Sequence, residues 1–211
     1  MKPLIHLFHL STGGVLAEED QTPARRAQLA ILAIATSLAM AAIWGIAAGS
    51  SVPSLAAHNA YKLPLMLVLA AIGAVPVGML AWKIVGVRQK ARELLHGYAL
   101  SVFLGCAVLL VLAPLVALYY LSSTAAGPLF AMGTVLLGLL VGCATFVRVV
   151  RSRLREDARD DEPSDWRPVV PGVVLMLAFV ATLWQVVALF APIFPESTPF
   201  RGGIDDALVL P

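Results

Sequence analysis

Charge is what this sequence has least of. Asp, Glu, Lys and Arg make up 13% of its 211 residues, against about 25% in an ordinary soluble domain. Hydrophobic residues supply 59%. A soluble chain of this length leaves roughly a third of its potential surface wet, and the polar residues here are too few to cover it. That excludes an ordinary soluble enzyme. It also excludes a disordered chain, which needs low hydrophobicity and high net charge. The net charge of +2 gives no reason to expect a nucleic-acid partner. Familiar catalytic motifs are missing as well: no GxSxG, HExxH or P-loop occurs. The four histidines, His6, His9, His58 and His96, do not cluster in sequence, and a His6/His9 pair without a nearby carboxylate or cysteine makes a weak metal site. No cofactor and no metal is expected.

What is present is long uncharged sequence. Residues 27–61, 63–82, 94–147 and 168–195 contain no Lys, Arg, Asp or Glu. A membrane-crossing helix needs about 20 apolar residues to span about 30 Å. The 94–147 stretch is long enough for two crossings, with SSTAAGP at 122–128 as the turn between them. The expected fold is therefore all-α, a polytopic transmembrane bundle of five spans near 27–49, 63–85, 94–121, 128–148 and 169–193. Helices are required because an open strand in lipid leaves backbone groups unpaired. Residues 1–26 form an amino-terminal tail, 149–167 a charged loop, and 194–211 a carboxyl-terminal tail. Residues 1–10 (MKPLIHLFHL) lack a cleavage signal. They fit either a floppy tail or an interfacial amphipathic segment with Leu4, Leu7 and Phe8 toward lipid.

The distribution of basic residues sets an orientation. Thirteen of the fifteen Lys and Arg fall on one side of this five-span scheme, in the amino-terminal tail, the loop after span two and the loop after span four. Lys62 and Arg201 are alone on the other. The positive-inside rule then places the amino terminus in the cytoplasm and the carboxyl terminus outside. Arg outnumbers Lys eleven to four, which suggests a GC-rich bacterial genome and a bacterial inner membrane. Trp44, Trp82 and Trp166 fall near span ends, where indoles favour the interface, while Trp184 falls mid-span and is expected between helices.

Lipid is as apolar as leucine, so helices associate in it through close contacts at small residues. Span one carries Ala33, Ser37, Ala41, Gly45 and Gly49 at four-residue spacing, predicting one tight helix–helix contact, inside the protomer or between copies. Span two carries Ala70, Ala74 and Gly78, and span four a Gly138/Gly142 pair. Pro64 suits the first turn of span two. Pro76 and Pro114 fall inside spans, where each removes a helical hydrogen bond and favours a kink. No ionisable residue lies at a span centre. Gln185 is the costliest buried polar group and is expected to hydrogen-bond another helix or a backbone group, with a role in substrate binding as the alternative. Cys106 and Cys143 differ in expected depth by about 10 Å at 1.5 Å per residue, beyond disulfide reach, and read as packing residues. At the end of span four and in the loop that follows it, Arg148, Arg151, Arg153 and Arg155 lie beside the bilayer and are expected to attract anionic lipid. The acids of 156–165 read as solvated charge balance.

The segment Tyr61-Lys62-Leu63-Pro64-Leu65-Met66-Leu67 with Pro76, Gly86 after span two, and Leu112-Ala113-Pro114-Leu115 in span three resemble the bacterial Yip-like five-span membrane proteins. The resemblance covers about residues 30–200. It implies a five-span fold with the amino terminus inside and, in the wider family, engagement of small GTPases and membrane-traffic machinery. The acidic, aromatic motif that precedes the first span in that wider family is absent. The leading functional expectation is a non-enzymatic integral membrane protein acting through protein or lipid contacts, as a homo-oligomer or a subunit of a membrane complex. The alternative is an oligomeric transporter or channel component for an uncharged or lipid-like substrate, against which stands the lack of a visible inverted repeat.

Overall fold

The computed structural model describes Leu7, His9 and residues 22–86, 91–122, 126–157, 169–191 and 193; for Pro23, Arg26, 91–93, Ser122 and 150–157 it describes the backbone alone. The described chain is all-helical, with five helices: α1 Pro23–Ala48, α2 Pro53–Val85, α3 Ala91–Ser122, α4 Ala126–Asp157 and α5 Val169–Phe190. Each is long and apolar enough to cross a membrane. This is the fold of a multi-pass membrane protein.

Local chemistry explains the helix ends. Thr22 caps α1, its hydroxyl accepting from the Arg25 amide at 3.3 Å, and Pro23 occupies the first turn, where a missing N–H costs nothing. Pro53 starts α2 in the same way after an extended Val52. At the other end of α2, Gly86 takes the left-handed conformation (φ 68°) that stops the helix. α2 therefore begins ten residues earlier than expected from the charge pattern. Lys62 does not interrupt it, because one long basic side chain can leave the apolar zone without breaking the backbone pattern. Pro64 is consequently inside the helix, as are Pro76 and Pro114 in α2 and α3, and the helices run on through all three. α4 continues past its apolar part to Asp157.

The helices alternate in direction. Gly45 and Gly49 near the end of α1 meet Asn59 and Ala56 near the start of α2. Gly105 and Ser101 of α3 meet Gly138 and Gly142 of α4 in antiparallel order, and Gly73 and Gly78 of α2 meet Thr182 and Leu175 of α5. α1 and α3 run parallel, Leu29 and Ala33 packing near Ala99–Phe103 while Trp44–Ala48 pack near Ala113–Tyr120. Helix order around the bundle is thus α4, α3, α1, α2, α5, with only slight contact where α5 returns to α4. We call the end where α1, α3 and α5 begin the near end, and the other the far end.

The packing partly inverts a soluble protein's, although Phe103, Phe146, Leu29, Met66 and Leu175 are fully buried too. Small residues fill the interior, with Ala33, Ser37, Ala48, Ala70, Ala74 and Ala131 fully buried. Large apolar side chains face outward: Ile31, Ile72, Ile84, Val111, Leu121, Leu129 and Leu140 are each more than 60% exposed. Hydrocarbon is a good solvent for Leu and Ile, so nothing drives them inward, while small residues let backbones approach.

Several side chains depart from expectation. Trp44 is buried and its indole N–H donates to Thr134 Oγ1 at 3.1 Å; Trp82 is buried among Leu94, Tyr98, Phe146 and Phe179. Each is packed between helices rather than turned outward. Trp184, expected between helices, is instead 69% exposed. Gln185 is exposed too and makes no hydrogen bond to another described residue, because its face of α5 looks away from α2. Leu7, a candidate lipid contact, is fully buried against Leu29, Ala33, Ala99, Leu100 and Phe103; a crevice between α1 and α3 offers closer packing than lipid does. Trp166 and residues 158–165 of the acidic segment lie outside the described residues.

Candidate functional site: an apolar groove between three helices

The five-residue stripe of α1 is buried along its length, but it makes two contacts rather than the one expected. Ala33 packs toward α3. Gly45 and Gly49 pack on α2, so closely that a Cβ on either would stand 2.6 Å from a backbone atom of α2. The reason is geometric. Four residues turn an α-helix about 400° at 3.6 per turn, so an i,i+4 stripe drifts about 40° per step and about 160° over four steps. Such a stripe must change partners. Elsewhere Gly138 and Gly142 both pack on α3, where the Gly105 and Ser101 carbonyl oxygens lie 3.0 and 3.1 Å from the place of a Cβ.

The drift leaves a gap. α1 and α2 meet tightly at the far end, and nearer the other end a groove of about 450 Å³ lies between them, lined by Ala27, Ala30, Ile34, Ser37 and Leu38 of α1 and Leu67, Val68, Ala71, Ile72 and Val75 of α2. α3 forms its floor with Leu95, His96, Tyr98, Ala99 and Val102, and Val149 of α4 closes one corner. The volume lies in the range of small-molecule sites, about 300–1,000 Å³. A smaller groove of about 220 Å³ follows the loose α4–α5 seam, between Cys143, Phe146, Val147 and the Val169–Val180 face of α5.

Polarity in and around the groove is hidden. The Ser37 hydroxyl donates to the Ala33 carbonyl at 2.6 Å within its own helix and lies beside the Cys106 thiol. The Tyr98 hydroxyl and both His96 ring nitrogens are buried away from the groove's accessible surface, and the Tyr98 ring stands edge-on to Phe179 at 5.6 Å. Four other serine and threonine hydroxyls in the spans behave as Ser37 does. Thr36 donates to Leu32 O, Ser101 to Tyr98 O, Thr145 to Val141 O and Thr182 to Ala178 O, all at 2.7–2.8 Å. Both cysteines are free thiols.

A second polar feature sits at the far end. Asn59 is fully buried, and its amide N–H donates to Ile193 O at 2.8 Å. One turn on, Lys62 Nζ donates to Phe190 O at 3.4 Å. Lys62 thus meets the last carbonyl of α5, where the helix dipole favours a cation, and Asn59 holds the chain three residues beyond it. Sequence reasoning passed over Asn59 because it lay outside the expected span two. Its signal was a carboxamide one turn from the only Lys in an otherwise uncharged run.

Pro76 and Pro114 are both exposed on the outer surface and border neither groove. Arg148 is exposed on α4, one residue before Val149 of the groove. Arg151, Arg153 and Arg155 belong to the last turns of α4, and their side chains lie outside those described. Among the described residues no three His, Cys, Asp or Glu side chains gather as metal ligands would. No protein-family model, no curated protein and no solved structure matches the chain.

Proposed function

We propose that this chain is a non-enzymatic integral membrane protein, Yip-like in plan, that acts through contacts with lipid and with other membrane proteins, itself included. One observation carries this reading. The deep hydroxyls of Thr36, Ser37, Ser101, Thr145 and Thr182 are each spent on a carbonyl of their own helix. A path for polar solutes requires donors and acceptors turned toward a lumen, and these are turned into backbone. The near end faces the cytoplasm, of a bacterial inner membrane on the compositional argument, with Arg148, Arg151, Arg153 and Arg155 beside anionic headgroups.

Two experiments test this. The full chain in proteoliposomes gives solute release no faster than empty vesicles; flux above that background overturns the reading. A single cysteine placed at Asp205, in a chain whose native cysteines are replaced by alanine, is labelled from outside the cell; labelling from the cytoplasmic side alone overturns the orientation. The 450 Å³ groove favours one alternative, an oligomeric transporter of lipid-like substrates. Faster transbilayer movement of a fluorescent phospholipid in the same vesicles would select it.

A further inference from the structure

Gln185 presents a primary amide on the outward face of α5, exposed and without a hydrogen bond to another described residue. It stands five residues before Phe190, about 8 Å inside the far end of the helix. Cβ atoms on a helix tilt toward its amino terminus. For Gln185 that direction runs deeper into the membrane, away from the far interface. Gln28 of α1 is the contrast. It too is exposed, five residues after Pro23, but its tilt runs outward to the near end, where headgroups and water meet it. The Gln185 amide is left in hydrocarbon, where donors and acceptors without partners are costly.

The surface around this amide is shaped for a helix. Val174, Ala178, Ala181, Gln185 and Ala188 follow at alternating steps of four and three, the spacing that keeps one seam against a second, nearly parallel helix. The outward faces of the other helices carry large side chains such as Ile31, Ile72, Leu129 and Leu140. On this seam Ala181 and Ala188 flank Gln185, and both are exposed. Such small residues let a neighbouring backbone approach closely enough for an amide to reach across.

The amide also selects what lies opposite. It has both donors and an acceptor, so another amide satisfies it in full. Copies of one chain insert in the same direction. A two-fold axis between them therefore runs along the membrane normal, and a residue on the seam meets its own equivalent at the same depth. A second copy thus places an amide against an amide. We propose that two copies of this chain pair through α5, the Gln185 amide of each donating an N–H to the Gln185 Oε1 of the other between the flanking alanines. This rests on reading the chain as a membrane protein that acts through contacts with other membrane proteins, itself included, and it names the surface and the partner. Dilution in detergent separates the copies and leaves the amide unshared, so the pairing is read in the bilayer.

The test is energy transfer between full chains labelled at a cysteine placed at Asp205, with the native cysteines replaced by alanine, in phosphatidylcholine vesicles over a series of protein-to-lipid ratios. Transfer is expected to rise to a plateau above that of randomly placed labels, and to follow a monomer–dimer equilibrium. Gln185→Leu, on an exposed face that the bundle does not need, raises the dissociation constant about three- to twenty-fold, the range for an interhelical hydrogen bond in a membrane. Ala181→Ile, which holds the seam apart, raises it as well. Ala39→Ile, on an exposed face of α1, leaves it unchanged and controls for added bulk. The proposal is overturned if the wild-type chain stays monomeric at every ratio, if Gln185→Leu leaves the constant unchanged, or if Ala39→Ile weakens pairing as much as Ala181→Ile does. Solute flux above background would overturn the proposed function and leave the pairing standing. Monomers in vesicles that release no solute would overturn the pairing alone.

Discussion

The Trp44 indole N–H donates to Thr134 Oγ1 at 3.1 Å, joining residues ninety apart in sequence. α1 and α4 otherwise barely touch. Thr134 in turn donates its proton to Ala131 O at 2.7 Å, so its oxygen is fixed as an acceptor. The pair therefore ties α4 to α1 directly, beyond the α3 contact that each helix shares.

Trp44→Phe keeps most of the buried ring and removes the donor. Interhelical hydrogen bonds in membranes are worth about 0.6 kcal/mol on average and at most about 1.7. A double-mutant cycle with Thr134→Val, read from unfolding of the detergent-solubilised protein, is expected to return a coupling in that range. A coupling of zero would mean that the bond adds nothing beyond packing.

The α3–α4 crossing depends on two glycines facing each other. A Cβ on Gly105 would stand 2.9 Å from the Gly138 carbonyl oxygen, and one on Gly138 would stand 3.0 Å from that of Gly105. Backbone cannot yield as a side-chain tip does. Gly138→Val is expected to destabilise the bundle by about 1–3 kcal/mol through overpacking. Gly133→Val, where a Cβ meets nothing within 4 Å, is expected to leave the thermal midpoint within a degree or two, about ±0.5 kcal/mol.

The end of α5 is held by α2. Asn59→Ala removes the donor to Ile193 O, and Lys62→Met removes the donor to Phe190 O. Either change is expected to speed amide exchange in the last two turns of α5 more than in α3 or α4. Uniform exchange across all five helices would refute a local tether.

Gln185 provides the opposite case. It is exposed on the outer surface, where an amide faces lipid. Gln185→Leu is expected to keep or raise the midpoint of the solubilised protein, since an unshared amide in hydrocarbon is unfavourable. A loss of about 1 kcal/mol or more would restore the interhelical role that its sequence position suggests.

Much of the architecture was readable because hydropathy acts locally. Five spans follow from runs without charge, and no tertiary information is needed to count them. The small-residue positions were readable too, since close approach in lipid demands Gly, Ala or Ser wherever it occurs. Their partners were not. Nothing in Ala33 and Gly45 says that one faces α3 and the other α2; that follows from helical drift and from the crossing geometry. Ser101 and Gly105, which receive the Gly138/Gly142 pair, went unnoticed because half of a glycine contact looks like any other small residue. The partners of the tryptophans were hidden for a related reason. An indole near a span end serves equally at the interface and in a buried hydrogen bond, and only the presence of Thr134 opposite Trp44 decides between them.

The sequence by itself determined that the chain is a five-helix membrane protein, roughly where each helix lies, the start of α2 and the end of α4 apart, and how the basic charge divides along it. It could do so because the bilayer treats each segment one at a time. Tertiary structure decided which faces meet, that Leu7 and Asn59 are buried while Trp184 and Gln185 are not, and that the described residues of α1, α2 and α3 line an apolar groove. Those depend on helix crossings, and crossings are set by contacts between residues far apart in the chain.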